Sequence, residues 1–158
     1  FNGIPTSKKL DILTKKGLLP KKMHKKINVL KQEKTVEIIQ KEAKNRQEKI
    51  EMIKEIKNKG HIVCCYTNSI RHTAELMLEK TGIKDLFDTI LTNQDVVNPK
   101  PSPEGYIYLM NYHSFDTSST FIIEDSPKGL KAAKDSGANV IKVINAEDVD
   151  LNLLRRYI

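Results

Sequence analysis

The sequence has 158 residues, 39% of them hydrophobic, which is enough for one domain with a core or for one domain with a small appendage. The formal net charge is +7, and no apolar run approaches the length that a transmembrane helix requires. The chain shows no signal-peptide pattern and begins with Phe1 rather than Met, so we expect residues to be missing upstream.

The positive charge is concentrated in the first part of the chain. Residues 1–60 hold 17 Lys and Arg against 7 Asp and Glu, whereas residues 61–158 hold 10 against 13. A basic half is compatible with nucleic acid or with an anionic substrate. Residues 2–60 contain no Phe, Tyr or Trp that would stack on bases, and Lys, Ile and Asn are frequent in the whole chain. The sequence therefore argues against a nucleic-acid partner.

Apolar residues recur at helical spacing through the first 60 residues. Four helices are predicted, over residues 6–16, 20–30, 35–43 and 47–59. Gly17 and Gly60 are placed to end the first and the last of these helices. Their apolar stripes are thin and their other faces are rich in Lys.

From residue 61 onward, short apolar runs alternate with helical patterns. Strands are predicted over residues 61–66, 89–91, 120–123 and 139–143. Helices are predicted over residues 71–80, 104–112 and 130–136, with a last helix in the tail, 149–158. Such alternation is typical of an α/β fold with a parallel sheet and right-handed crossovers.

The two cysteines, Cys64 and Cys65, are adjacent in the first predicted strand. Neighbouring residues of a strand point to opposite faces, so this pair is poorly placed for a mutual disulfide. Buried free thiols fit a reducing compartment, and we expect a cytoplasmic protein. The Cys and His residues show no spacing typical of a metal centre.

Polar residues follow three of the predicted strands. Thr67 follows the first, Lys100 lies in a proline-rich loop after the second, and Glu124 and Asp125 follow the third. Ligands of α/β folds bind beyond the carboxyl ends of parallel strands. A hydroxyl with nearby backbone N–H groups, a fixed ammonium and a carboxylate-bound Mg²⁺ together provide what a phosphoryl group needs.

Each of these residues also has an ordinary structural interpretation. Thr67 alone would be a helix cap, and Lys100 alone would be one more solvated lysine. Glu124 and Asp125 alone would cap the helix that follows them. The prolines around Lys100 favour a functional role, because a rigid loop holds a long side chain in place.

Three motifs resemble those of a known family. They are YTNS at 66–69, NPKPSPEGY at 98–106 and IIEDSPKGLKAAKDSGANVI at 122–141. They are similar to the second, third and fourth motifs of the haloacid dehalogenase superfamily, and most similar to its β-phosphoglucomutase-like and sugar-phosphatase branch. The resemblance implies a Rossmann-like core over 47–158 with a helical cap over 1–46. It also implies a Mg²⁺-dependent phosphatase or phosphomutase that acts on a small phosphorylated metabolite such as a sugar phosphate.

The resemblance gives roles to six residues: Thr67, Asn68, Lys100, Glu124, Asp125 and Gly129. Thr67 and the backbone of Asn68 would bind the phosphoryl group, and Lys100 would offset charge on that group and on the nucleophile. Asp125 would ligate Mg²⁺, with Glu124 as a further ligand or as a support for one. Gly129 would let the backbone turn under the site.

The first motif of the superfamily, an Asp-x-Asp at the end of the first strand, is absent from this sequence. Its first Asp is the nucleophile that forms an aspartyl-phosphate, and its second is the general acid and base. Asp11 is the only acid before Glu33, and it lies in a helical pattern. We therefore expect the nucleophile and the first strand to lie outside these 158 residues, and the chain alone to be inactive. The family's sheet order places that strand between the strands that end at Tyr66 and Ile123.

Two other classes of protein share some of these features with a phosphohydrolase. A catalytically inactive binding module would keep the fold and lack the nucleophile, and an upstream Asp-x-Asp would distinguish the two. A signalling receiver domain also uses carboxylates, a Thr and a Lys-Pro pair. It places its acids before the Thr and the Lys, and the order here is the reverse.

Overall fold

The computed structural model describes residues 6–157, except for the side chain of Ser7. The chain divides into two compact units, of which the first ends at Ala43 and the second begins at Lys44. No helix within residues 6–157 is both long enough and apolar enough to cross a membrane.

Two helices make up the first unit: α1 (Thr6–Lys15) and α2 (His24–Glu42), with a 3-10 turn at Lys21–Met23 before α2. The second and third predicted helices are therefore one continuous helix. No Gly or Pro interrupts the chain between them, and Thr35 donates a hydrogen bond from Oγ1 to the carbonyl of Lys31, one turn earlier, at 2.8 Å. Such back-bonding lets a Thr remain inside a helix.

The second unit alternates helices with short parallel strands, as the sequence predicts. Its helices are α3 (Gln47–Asn58), α4 (Arg71–Thr81), α5 (Glu104–His113), α6 (Pro127–Asp135) and α7 (Leu151–Leu154). Its strands are β1 (Cys64–Tyr66), β2 (Thr89–Leu91), β3 (Phe121–Glu124) and β4 (Asn139–Lys142). The predicted α/β class is confirmed.

The four strands form two separate parallel pairs rather than one continuous sheet. β1 pairs with β2, so that Tyr66 lies opposite Leu91, and β3 pairs with β4, so that Glu124 lies opposite Lys142. In the described part of the chain, β1 and β3 therefore each keep one edge without a partner strand. This arrangement explains why β1 is shorter than the strand predicted over residues 61–66. β1 is three residues long and half-buried, because only one of its edges is paired.

Two apolar clusters hold the second unit together. One joins α3 to α7 and contains Met52, Ile53, Ile56 and Leu154. The other joins α5, β3 and α6 and contains Tyr106, Ile122, Ala132 and Ala133. The second cluster fixes the first turn of α5 beside the carboxyl end of β3, and that is where the predicted site residues lie.

Candidate active site

The carboxyl ends of β1 and β3 meet at the side chain of Lys100. Its Nζ atom donates hydrogen bonds to the carbonyl of Tyr66 at 2.9 Å and to Oε1 of Glu124. Tyr66 is the last residue of β1 and Glu124 is the last residue of β3. The side chains of Lys100 and Glu124 are only 9% and 8% exposed, so this is a buried ion pair. Lys100 is thus not one more solvated lysine.

Two aromatic rings complete the surroundings of the Lys100 ammonium. Nζ lies 4.6 Å from the ring centroid of Tyr66 and 4.9 Å from that of Tyr106. The two rings meet edge to face, with their centroids 5.1 Å apart. Electron-rich ring faces stabilise a cation that has lost much of its water. The loop after β2 therefore holds the Lys100 side chain in a fixed position at the carboxyl ends of β1 and β3.

Glu124 is held by donors from three directions. Its Oε1 atom accepts from Lys100 and from the Tyr106 hydroxyl, which lies at 2.5 Å, and its Oε2 atom accepts from Oγ of Ser126 at 3.2 Å. Burial by itself would raise the pKa of Glu124, but the hydrogen bonds from Lys100 and Tyr106 outweigh it, and the pKa lies below its ordinary value. Burial and the bond to Glu124 both raise the pKa of Tyr106, which therefore keeps its proton.

Ser126, rather than Glu124 or Asp125, caps α6. Its Oγ accepts from the backbone N–H of Gly129 at 3.0 Å, and Pro127 occupies the first helical position. The interpretation of the two acids as helix caps is therefore wrong. A Ser-Pro pair before a helical pattern is a recognised start signal, so the sequence did contain this information.

Gly129 serves the site through its lack of a side chain. It is not among the described glycines with positive φ, so it does not supply an unusual backbone turn. It lies in the first turn of α6, where a Cβ atom would overlap the carboxylate of Glu124. Glycine is required here because the Glu124 side chain lies directly against the helix.

The loop after β1 is tied to the loop that carries Lys100. Asn68 forms two hydrogen bonds with the backbone of Lys100, through its Nδ2 and Oδ1 atoms. Thr67 accepts a bond from the N–H of Ser69 at 3.1 Å through Oγ1, while its own N–H donates to the carbonyl of Leu91. Thr67 is therefore held in a local turn and is not the N-cap of α4, which is Ile70.

The proline-rich loop is closed by Glu104 at the start of α5. Its carboxylate accepts from the backbone N–H of Val97 at 2.7 Å and from that of Asn98 at 2.9 Å. These bonds lower the pKa of Glu104. A carboxylate at a helix N-terminus is also favoured by the helix dipole. Glu104 therefore holds the proline-rich loop independently of the ion pair between Lys100 and Glu124.

The two predicted Mg²⁺ ligands lie in different surroundings. Glu124 is buried and engaged by three donors, whereas Asp125 is exposed immediately beyond the end of β3. Within residues 6–157, no three His, Cys, Asp or Glu side chains come together as a metal centre. Mg²⁺ in phosphate-transfer sites is commonly held by one or two carboxylates, with waters and phosphate oxygens as the other ligands. The exposed carboxylate of Asp125 fits that pattern.

A groove of about 490 Å³ separates β1 from β3. Both strands line it, and apolar side chains from α3, α5 and α7 line the rest, among them Ile56, Leu109, Met110 and Leu154. Tyr66, Tyr106 and Glu124 lie at its end beside Lys100. The groove therefore runs between the two unpaired strand edges and opens on the buried ion pair.

A model of the haloacid dehalogenase-like hydrolase family matches residues 2–143 of the chain. The chain belongs to this family. The family resemblance predicted from the three motifs is confirmed.

The chain is also similar to individual curated proteins and solved structures. Pyrophosphatase PpaX of Bacillus velezensis is 31% identical over 93 residues, which cover 59% of this chain and 43% of that protein. The chain thus spans less than half of the length of this relative. The crystal structure of CbbY from Rhodobacter sphaeroides in complex with xylulose 1,5-bisphosphate matches with a TM-score of 0.68 and 25% identity, over 77% of this chain and 56% of that one.

A HAD hydrolase of family IA, variant 3, from Entamoeba histolytica covers more of the chain. It matches 98% of this chain and 70% of its own length, with a TM-score of 0.76 and 20% identity. At that identity the likeness shows the fold alone. It extends the haloacid dehalogenase-like fold over nearly all of the sequence.

The structure of this haloacid dehalogenase-like chain brings together Asn68, Lys100 and Glu124 through direct hydrogen bonds. Thr67 and Asp125 flank them in the sequence, and within the described residues they form no hydrogen bond with the Lys100 side chain or with each other. Tyr106 was missed by the sequence analysis, because nothing in its spacing from Lys100 shows that a helix would turn its hydroxyl onto Glu124. The side-chain role of Asn68 was missed as well, because nothing in its spacing from Lys100 shows that the two loops would meet.

Proposed function

We propose that this chain supplies the phosphate-binding and metal-binding residues of a Mg²⁺-dependent phosphohydrolase. The enzyme is a phosphatase or a phosphomutase that acts on a small phosphorylated metabolite such as a sugar phosphate. The observation that carries the proposal is the meeting of Lys100, the Thr67 loop and the Glu124–Asp125 pair at the carboxyl ends of β1 and β3. The names of PpaX and of the bisphosphate complex of CbbY support a phosphorylated substrate.

Each residue has a role that its surroundings permit. The Thr67 hydroxyl and the backbone N–H of Asn68 would hold the oxygens of the phosphoryl group, and Lys100 would neutralise the charge that develops on them. Asp125 would hold Mg²⁺, which when bound neutralises negative charge on the phosphoryl oxygens. Glu124 lies too deep and is too fully bonded to serve chiefly as a ligand, and we assign it to holding Lys100.

The nucleophile of the proposed reaction lies outside this chain. Among the described residues that line the groove, Glu124 is the only acidic one, and it is already paired with Lys100. β1 and β3 each present an unpaired edge to the groove, and their carboxyl ends meet at Lys100. One parallel strand inserted there would pair with both edges and would end beside Lys100. We propose that this strand carries the aspartate that forms the aspartyl-phosphate.

Hydrolysis of an aryl phosphate by the natural protein tests this proposal. Turnover should require Mg²⁺ and stop with a chelator, and Asp125→Ala should abolish it without lowering the melting temperature. Lys100→Ala should lower kcat by at least about a hundredfold, the scale for one lost electrostatic stabiliser. Lys131→Ala is the matched control, because Lys131 is exposed on α6 and pairs with Asp135 on the same helix. Turnover near the wild-type level in Asp125→Ala would overturn the metal assignment.

The same assay, together with a measurement of phosphate binding, distinguishes the proposed enzyme from an inactive binding module. Such a module would bind inorganic phosphate at this site, with affinity lost in Lys100→Ala, and would show no turnover of any phosphate monoester. That outcome would replace the proposed activity with a binding function. A phosphohydrolase should show both turnover and sensitivity to the substitution of Lys100.

A further inference from the structure

We propose that Tyr106 is a positioning residue for Lys100 and that it acts through Glu124. The inference rests on the proposed function, in which Lys100 contacts the phosphoryl group. Tyr106 is only 7% exposed, and its hydroxyl donates to Oε1 of Glu124 at 2.5 Å. The same oxygen accepts from Nζ of Lys100, so the hydroxyl and the ammonium share one acceptor.

The hydroxyl fixes the rotation of the Glu124 carboxylate. The last torsion of a Glu side chain is broad and roughly two-fold, so packing alone holds it weakly. Here Tyr106 holds Oε1 from α5, and Ser126 holds Oε2 from the start of α6. Without the Tyr106 hydroxyl, the carboxylate keeps one neutral donor and the ammonium of Lys100. Lys100 and Glu124 are then free to move together away from the strand ends.

Tyr66 provides a comparison inside the same site. Its ring lies as near to the Lys100 ammonium as the ring of Tyr106 does, at 4.6 Å and 4.9 Å to the centroids. Its hydroxyl is buried and has no hydrogen-bond partner among the described residues. Tyr66→Phe and Tyr106→Phe therefore each remove one buried oxygen and keep a ring beside Lys100. Only the second substitution removes a donor to Glu124.

Chemical labelling of Lys100 measures its positioning directly. The natural protein is reductively methylated for short times, and methylation is located by mass spectrometry of peptides, with exposed Lys131 as the internal reference. We expect Tyr106→Phe to raise the rate at Lys100 by at least about tenfold, as expected for a lost charge-assisted hydrogen bond. Tyr66→Phe should leave the rate within about twofold, because its hydroxyl makes no bond. Equal rates in the two variants would overturn the inference.

A double substitution tests whether the effect passes through Glu124. Glu124→Gln alone should raise the labelling rate, and adding Tyr106→Phe to it should cause no further increase. A role of Tyr106 in packing alone would make the two effects additive. Thermal unfolding is measured first, to show that each variant folds. If Tyr106→Phe does not fold, the labelling rate of Lys100 in Glu124→Gln still tests the inference. A Lys100 as protected in that variant as in the wild type would overturn the inference.

Kinetics separate a failure of this inference from a failure of the proposed function. Tyr106→Phe should lower kcat for an aryl phosphate and leave KM unchanged. Tyr108→Phe, on the exposed side of the same helix, is the control. Full activity in Lys100→Ala would refute the proposed function itself. Loss of activity in Lys100→Ala together with wild-type kcat in Tyr106→Phe would refute only the positioning role.

Discussion

The side chain of Asn68 pairs with the backbone of Lys100 through two hydrogen bonds. Its Nδ2 atom donates to the Lys100 carbonyl at 3.0 Å, and its Oδ1 atom accepts from the Lys100 N–H at 3.1 Å. Asn68 follows β1, and Lys100 lies in the loop after β2. The side-chain amide of Asn68 therefore joins the two loops and fixes the position of the Lys100 backbone.

Replacing Asn68 should release the lysine loop. Asn68→Ala leaves the N–H and the carbonyl of Lys100 without these partners, at a cost of about 1–3 kcal/mol in the free energy of unfolding. Asn68→Asp keeps the acceptor and loses the donor, so it should fall between Ala and the wild type. Urea unfolding measures the stability, and kcat for an aryl phosphate should fall in the same order. Equal stabilities for all three proteins would show that the pair does not hold the loops.

Gly129→Ala tests whether the Glu124 carboxylate needs the space above α6. In an ordinary helix interior this substitution stabilises by about 0.5–1 kcal/mol. Here the new methyl group would overlap Glu124, and overpacking of this kind costs about 1–3 kcal/mol. We expect net destabilisation and a fall in kcat, measured by urea unfolding and by aryl phosphate hydrolysis. An increase in stability with unchanged kcat would mean that Glu124 does not occupy this place.

Acid should weaken the second unit through Asp95. The Arg71 guanidinium and the Thr92 donors hold the pKa of Asp95 at about 2, below its ordinary 3.8. The folded pKa is depressed, so this stabilisation is fully present above about pH 4 and is lost as the pH falls towards about 2. Asp95→Asn should therefore flatten the dependence of the unfolding free energy on pH in that window. An unchanged slope would contradict the assignment.

The thiol of Cys64 should react slowly at neutral pH. Burial raises its pKa to about 11, and Cys64 lines the groove between β1 and β3. At about pH 8 its alkylation should be on the order of a hundredfold slower than that of a free cysteine, because the thiolate is the reactive form. The rate should keep rising with pH up to about 11. Rapid alkylation at neutral pH would show that Cys64 is not buried as described.

Local sequence patterns predicted an element well where the residues of that segment set its bounds. The predicted strand at 89–91 has the observed bounds, and Gly17 and Gly60 both adopt positive φ at helix ends. The single helix α2 was divided in two, because its apolar periodicity weakens around residue 31 while nothing breaks the backbone. β1 was predicted too long, because its pairing depends on neighbouring strands and not on its own residues.

The site was predicted in part for a similar reason. Motif spacing identified Lys100 and Glu124 but did not show that they pair with each other. That contact depends on how α5 and β3 pack, and packing brings in Tyr106, which no local pattern marks. Long-range contacts of this kind are decided by tertiary structure.

The most direct test of the account adds the proposed strand to the chain. Three proteins are compared: the 158-residue chain alone, the chain preceded by an apolar strand that ends in Asp-x-Asp, and the same fusion ending in Asn-x-Asn. We expect both fusions to be more stable than the chain alone, because the added strand fills the groove between β1 and β3. Only the Asp-x-Asp fusion should hydrolyse an aryl phosphate with Mg²⁺. Robust turnover by the chain alone, or equal turnover by the two fusions, would contradict the account.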